Sequence, residues 1–305
     1  MAYEVVPNGR IDVHQHLWPN ELIEVLRNRF EPPYLRGWTL HVAGYPAYEV
    51  NPADHNPTLR AQLDADAAMI GVALSAGLGV HDLFPSDAEE LLTAWHAGAK
   101  ALGAPFAPWA AATRIDPDLI GLAELLTDGF IGLEMPATWL ATPRLLEEVA
   151  PLLAVCETAG VPVLVHPAAS TEVDLIGLRT DLPGWWPPVV DYTAQLQAAW
   201  WSWHEAGRSL LPDLRLCFVG GAGLAPLHEE RYKARGGPPR LADTGVFADT
   251  SSYGPRALGA LVGVLGIDAL VFGSDRPYSA PSATGFYAAA DDQISVTNPR
   301  RLLRG

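Results

Sequence analysis

Residues 10–19 read RIDVHQHLWP, a short apolar run carrying two histidines one residue apart. In a β-strand the side chains at i and i+2 share a face. His14 and His16 therefore project together, and Gln15 points away. Two imidazoles leaving one strand end can hold one metal ion if the rest of the chain supplies further ligands. Taken alone, the stretch reads equally as a polar strand end with two solvated histidines. The remaining residues of the chain decide between the two readings.

After this strand comes an irregular insert, about residues 17–56, rich in proline and aromatics. NPTLRAQLDADAAMIG then predicts a helix with Asn56 as N-cap and Pro57 in the first helical position, followed by VALSAG as a buried strand. The alternation repeats. A helix from Ser86, with Glu89 completing a capping box, precedes FAPWAAA. A helix opened by Asp116 and Pro117 and closed by Gly129 precedes FIGLEM. A helix between Thr142 and Gly160 precedes VPVLVH, which ends at His166.

A second insert, about 167–188, ends in GWWPP and leads into a tryptophan-rich helix over 189–207. LRLCFV, the helix LAPLHEERYKA, GVFADT, the helical GPRALGALVGVLG and ALVFGSD complete the chain. The eight strand candidates are short apolar runs, as expected when helices cover both faces of a parallel sheet. Eight strands alternating with helices over 305 residues predict a (β/α)8 TIM barrel in one domain spanning 1–305. The two inserts would be loop insertions over its C-terminal face. A doubly wound open sheet is the rival architecture, but no glycine-rich phosphate fingerprint follows the first strand.

Composition narrows the function classes. The net charge of −15 and pI of about 4.9 repel phosphate backbones and argue against nucleic acid. ALGALVGVLGI, the longest apolar run, is too short to span a membrane. The N-terminus lacks the basic start and long apolar run of a signal peptide. Cys156 and Cys217 form no disulfide framework and suit a reducing compartment, so a cytoplasmic location is expected. Charged residues make up only 18% of the chain and there are ten tryptophans, which points to extensive buried surface and to a homodimer.

Barrel active sites sit at the C-terminal ends of the strands. The polar residues there are His14 and His16 on the first strand, Glu134 on the fourth, His166 on the fifth and Asp275 on the eighth. His14, His16, His166 and Asp275 form a three-nitrogen, one-oxygen set suited to one divalent ion, zinc first and manganese second. Barrel closure makes the first and last strands neighbours and so brings Asp275 to the histidine pair. Singly, His166 also fits a core position and Asp275 a loop cap; their joint placement is what capping does not explain. Arg276 is a candidate for a two-pronged grip on a substrate carboxylate or for a salt bridge. Trp18, Trp185 and Trp186 lie on the inserts and are candidates for an aromatic pocket or for insert packing. WWSWH at 200–204 reads as helix packing.

Several stretches together carry a family resemblance: DVHQHLWP, VPVLVHPA, LHEERY after a glycine-rich turn, VFGSDRPY and NPRRLL. They resemble the amidohydrolase-related proteins, and within them the branch of aminocarboxymuconate-semialdehyde decarboxylase and the resorcylate-type decarboxylases. The resemblance covers nearly the whole chain and implies a (β/α)8 barrel with one divalent metal held by His14, His16, His166 and Asp275. One position departs from the pattern. The family usually carries a histidine at the end of the sixth strand, before a glycine pair, and Val219 stands there in this chain. His228 lies further on, on a helix surface. Glu134 remains a ligand, a substrate contact or a buried charge partner.

These residues suit three functions. The leading expectation is a hydrolase acting on a small, carboxylate-bearing substrate, with a metal-activated water and Asp275 as the proton acceptor. The second is nonoxidative decarboxylation of a small aromatic or unsaturated acid, for which Val219 removes the usual proton donor. The third is a noncatalytic ligand-binding barrel that keeps its metal.

Overall fold

The computed structural model describes residues 9–169, 182–238 and 243–304. Eight parallel strands form its centre: β1 (Arg10–His16), β2 (Ala67–Ala73), β3 (Phe106–Pro108), β4 (Leu133–Pro136), β5 (Val163–His166), β6 (Leu216–Phe218), β7 (Val246–Asp249) and β8 (Leu270–Val271). Ladders join β1, β2 and β3 into one run and β4 through β8 into another. Hydrogen bonds then close both seams. Between β3 and β4, Ala110 N–H donates to Gly132 O (2.8 Å) and Glu134 N–H to Ala110 O (2.8 Å). Between β8 and β1, Val13 N–H donates to Phe272 O (3.0 Å), Asp275 N–H to His14 O (2.8 Å) and His16 N–H to Arg276 O (2.7 Å). The chain is a (β/α)8 TIM barrel, and the second seam delivers Asp275 to the histidine pair.

Most predicted elements are present with shifted ends. Asn56 caps the helix Pro57–Leu63, its side chain accepting from the Thr58 and Leu59 amides. That helix stops at Asp64, and β2 begins at Ala67 rather than Val72. The DADAAMIG segment has fair helix propensity, but pairing with β1 from Arg10↔Ala67 onward overrides it. Ser86 does not cap. Pro85 holds the first helical position one residue earlier, so Ser86 lies inside the helix Pro85–Ala101. Asp118, rather than Asp116, caps the helix Leu119–Thr127 by accepting from Gly121 N–H. Thr142 and Gly160 bound the helix Pro143–Ala159 as expected. Trp200 and Trp203 are buried, Trp200 edge-on to Phe218 at 5.3 Å, so this aromatic run does pack the helix.

The first insert folds as a helix (Asn20–Asn28) and a three-stranded antiparallel sheet (Tyr34–Arg36, Thr39–His41, Tyr48–Glu49). Of the second insert, residues 170–181 lie outside the described residues. Among the described residues no helix is long and apolar enough to cross a membrane.

After β6 the backbone does something unusual. Gly220, Gly221, Ala222, Gly223 and Leu224 are consecutive residues with φ between 54° and 58°. L-residues other than glycine pay roughly 1–2 kcal/mol each in this left-handed region, so GGAGL needs its three glycines. The turn leads Val219 into the helix Glu229–Ala234 and leaves His228 exposed.

At the opposite end of the barrel, Arg208 clamps Asp243 through two hydrogen bonds of 2.7 Å. Burial pulls the Asp243 carboxyl upward, but the Arg208 contacts prevail and hold it below its ordinary range. A group with a depressed folded-state pKa stabilises the fold above its unfolded value, and that contribution is lost as pH falls through the folded value. Asp243→Asn is therefore expected to destabilise the protein by about 1–3 kcal/mol at neutral pH. Melting curves of parent and variant are expected to converge as the pH drops below about 4. A difference independent of pH would assign the effect to packing instead.

Candidate metal centre

β1 ends in His14 and His16, β5 in His166, and the closing seam supplies Asp275. One ligating atom from each lies within 4.8 Å of the others. Every imidazole is oriented from its far nitrogen. His14 Nδ1 is 2.7 Å from Asp249 Oδ2, His16 Nδ1 is 3.2 Å from Ala73 O, and His166 Nδ1 is 2.6 Å from Pro167 O. Those oxygens only accept, so each ring carries its proton on Nδ1. The Nε2 lone pairs are left facing one another, 3.1 Å apart for His14–His16 and 3.2 Å for His16–His166. Asp275 Oδ1 joins them at 3.3 Å from His16 Nε2 and 3.5 Å from His14 Nε2. It is buried and has no hydrogen-bond donor. Three lone pairs and a carboxylate oxygen aimed at one point repel unless a cation lies between them. The residues fit a divalent ion as an N3O set.

Burial and mutual charge perturb these groups. Burial pushes His166 down to about 3, helped by His16 and His14. For His14 burial acts the same way, but the bond to Asp249 and the field of Asp275 overcome it and raise the ring to about 9, so a cation taken up at its Nε2 would displace a proton. Burial raises Asp275 and the neighbouring histidines lower it, with a net downward shift. Asp275 has a φ of +56°, a left-handed conformation that aspartate tolerates and that concentrates at functional sites.

Asp249, at the end of β7, escapes a reading that looks only for histidines and the late aspartate. Fully buried, it accepts from His14 through Oδ2. Its Oδ1 takes the Gly220 amide (2.7 Å), the Ser251 amide (3.0 Å) and the Ser251 hydroxyl (2.7 Å). Such outer carboxylates fix the tautomer of a ligating histidine. Its position at a strand end was the available signal. A side chain at Gly273 would lie 2.5 Å from Asp249 Oδ2, so this glycine makes room for the carboxylate. Asp249→Asn and Gly273→Ala are each expected to weaken metal binding by about 10–100-fold, as read by competition with a chromogenic chelator. Unchanged affinity in both would remove Asp249 from the metal's support.

A cavity of about 490 Å³ is lined by His14, His166 and Asp275 together with Val219 and a group of tyrosines. Val219 is buried in its wall. Of the other sequence-derived candidates, none lines the cavity. Glu134 lies beneath it, fully buried, with His81 Nε2 at 2.8 Å from its Oε2. Its Oε1 accepts from the Ala76 amide and so anchors the wall segment around Ser75. Burial raises Glu134 but His81 draws it down, and the net shift is downward. Arg276 turns away from Asp275 toward Asp64, at 3.4 Å, on the side of β1 where Gln15 points. Trp18 is buried and stacks on His55, ring centroids 4.1 Å apart, because the chain leaves the strand at Leu17. Trp185 and Trp186 tilt against each other at 5.6 Å, with Trp185 exposed.

Comparison with known proteins bears on the fold and the family. No curated protein matches the chain. Among solved structures, 2,6-dihydroxybenzoate decarboxylase from Rhizobium superposes with a TM-score of 0.70 at 17% identity, covering 97% of this chain and 99% of the other. 5-Carboxyvanillate decarboxylase from Sphingomonas paucimobilis gives 0.73 at 15% identity, covering 98% and 99%. Dihydroxybenzoic acid decarboxylase from Polaromonas sp. JS666, which holds manganese and the inhibitor 2-nitroresorcinol, gives 0.70 at 16% identity, covering 97% of each. At these identities the likeness is one of fold. The family profile described as Amidohydrolase matches residues 11–305, so the barrel and its His/Asp cluster belong to an enzyme of the amidohydrolase family.

Proposed function

We propose that the protein is a metal-dependent carboxy-lyase. Its substrate would be a small aromatic or unsaturated acid with an oxygen beside the carboxylate. The observation that carries this reading is the cavity wall. Asp275 is the one carboxylate among its described lining residues, and it stands beside the three histidines where it can both help hold an ion and carry one proton. Loss of carbon dioxide needs no protonated leaving group; it needs one proton delivered to carbon. The decarboxylase activities of the Rhizobium, Sphingomonas and Polaromonas proteins support it.

A divalent ion held by His14, His16, His166 and Asp275 would supply positive charge for the acid's carboxylate and neighbouring oxygen. Zinc suits the N3O set; manganese, present in the Polaromonas protein, is the second choice. Asp275 accepts the proton of the substrate's neighbouring hydroxyl. It then delivers that proton to the carbon bearing the carboxylate. The carbon–carboxylate bond breaks, its electron pair stays with the ring, and carbon dioxide leaves. Water replaces the proton on the product's oxygen. Asp249 and Glu134 do not touch the substrate: the first holds His14, the second the wall at Ala76.

The hydrolase reading keeps one supporting observation, since the same cluster beside Asp275 also suits an activated water. A single experiment separates them. Metal-loaded protein is incubated with ortho-hydroxybenzoates and, in parallel, with lactones, esters and amides. The expected result is carbon dioxide release abolished by chelator, with one deuterium at the vacated carbon in heavy water. Hydrolysis products alone would restore the hydrolase, and metal-loaded protein that turns over neither set would point to a binding barrel.

A further inference from the structure

Five of the chain's nine tyrosines line the cavity: Tyr45, Tyr48, Tyr192, Tyr253 and Tyr278. They come from distant segments. Tyr45 and Tyr48 stand on the first insert, Tyr192 on the helix after the second, Tyr253 after β7 and Tyr278 after the closing seam. Tyr278 lies beside the metal centre, its ring centroid 5.3 Å from that of His16. Tyr48 interacts with Tyr278 through their hydroxyls. Both are half exposed, and both line the cavity. No arginine or lysine lines it among the described residues.

Building on the carboxy-lyase reading, we propose that Tyr48 and Tyr278 form a neutral oxygen-recognising subsite. It selects aromatic acids that carry one carboxylate and, remote from it, an uncharged oxygen substituent such as a hydroxyl or methoxy group. Phenolic hydroxyls both donate and accept, so they pair with such an oxygen without a countercharge. Phenols are uncharged at neutral pH. A second carboxylate at that place would meet hydroxyls and the nearby Asp275 but no described cation. A negative charge there is repelled by Asp275 with no described cation to offset it, whereas a neutral oxygen is not. Aromatic walls also offer ring stacking to the substrate's own ring.

The test uses metal-loaded full-length protein and nonreactive 2-nitrophenol analogues, measured by calorimetry. Three probes share one skeleton: unsubstituted, with a remote methoxy group, and with a remote carboxylate. The methoxy probe is expected to bind about tenfold more tightly than the unsubstituted one, the worth of a hydrogen bond or two. The carboxylate probe is expected to bind at least about tenfold more weakly. In Tyr48→Phe the methoxy-to-unsubstituted ratio should fall toward one. A carboxylate probe that binds as well as the methoxy probe overturns the proposal, and needs no variant to show it. So does a methoxy advantage that survives in Tyr48→Phe and Tyr278→Phe. These outcomes stand apart from the fate of the reaction. The tyrosine-dependent preference without carbon dioxide release would refute the carboxy-lyase and keep the subsite. Carbon dioxide release without the preference would do the reverse.

Discussion

His14→Ala, purified without added metal, is expected to hold less than about a tenth of the divalent ion carried by the parent. The parent should hold about one ion per chain. His14 is the most constrained of the ligands. Its Nδ1 is tied to Asp249, which is tied in turn to Gly220 and Ser251, so no neighbouring side chain can swing into its place. Removing it also leaves Asp249 Oδ2 buried without its donor. The metal loss should therefore come with a lower melting temperature, a cost of about 1–3 kcal/mol beyond the lost metal. Elemental analysis with circular dichroism reads both effects. A folded variant that keeps a full equivalent would place the ion somewhere other than the His/Asp cluster.

How much of this was open to a reader of the sequence depends on distance along the chain. The strand–helix alternation is written in local patterns, and the seams of the barrel close as that alternation predicts. The ends of β2 were not legible because pairing with β1, more than fifty residues away, decides them. His14 and His16 could be paired from their spacing alone. His166 and Asp275 could be joined to them only through the architecture. Adjacent residues fared worse. Arg276 neighbours Asp275, yet the closing strand sends it to Asp64, behind β1. Trp18 is two residues past His16, but Pro19 begins the turn into a helix and the indole is drawn onto His55.

The tyrosine row was invisible for the converse reason. Tyr45, Tyr48, Tyr192 and Tyr278 have no common spacing, and only the folded inserts and the β8–β1 seam assemble them. Asp249 was hidden by chemistry rather than by distance. As an aspartate at a strand end it was as visible as Asp275, but its partner is a histidine's rear nitrogen. The departure at Val219 has a consistent structural setting. The residue sits in the cavity wall at the start of the left-handed GGAGL turn, and no described histidine takes its place there. On the proposed carboxy-lyase reading, proton transfer at this site falls to Asp275.

That burden makes Asp275→Asn the most telling substitution for the reaction. Asparagine keeps the size and tolerates the left-handed φ of +56°, and the backbone bond from residue 275 to His14 O is untouched. The seam should therefore stay closed. The change removes a charge from the metal's ligand set and a proton carrier from the cavity. The first effect weakens metal binding, so the comparison is made at saturating metal. The second effect remains there. Turnover is expected to fall by about 10²–10⁴-fold, the usual worth of a positioned acid–base group. Affinity for the nonreactive nitro analogues should change much less, because the histidines and tyrosines that surround them are intact. Residual turnover should still place deuterium at the vacated carbon, delivered slowly by solvent. If the variant at full metal occupancy keeps turnover within about tenfold of the parent, Asp275 is a ligand only. The proton must then come from another hydroxyl lining the cavity, with Tyr278 the next residue to replace.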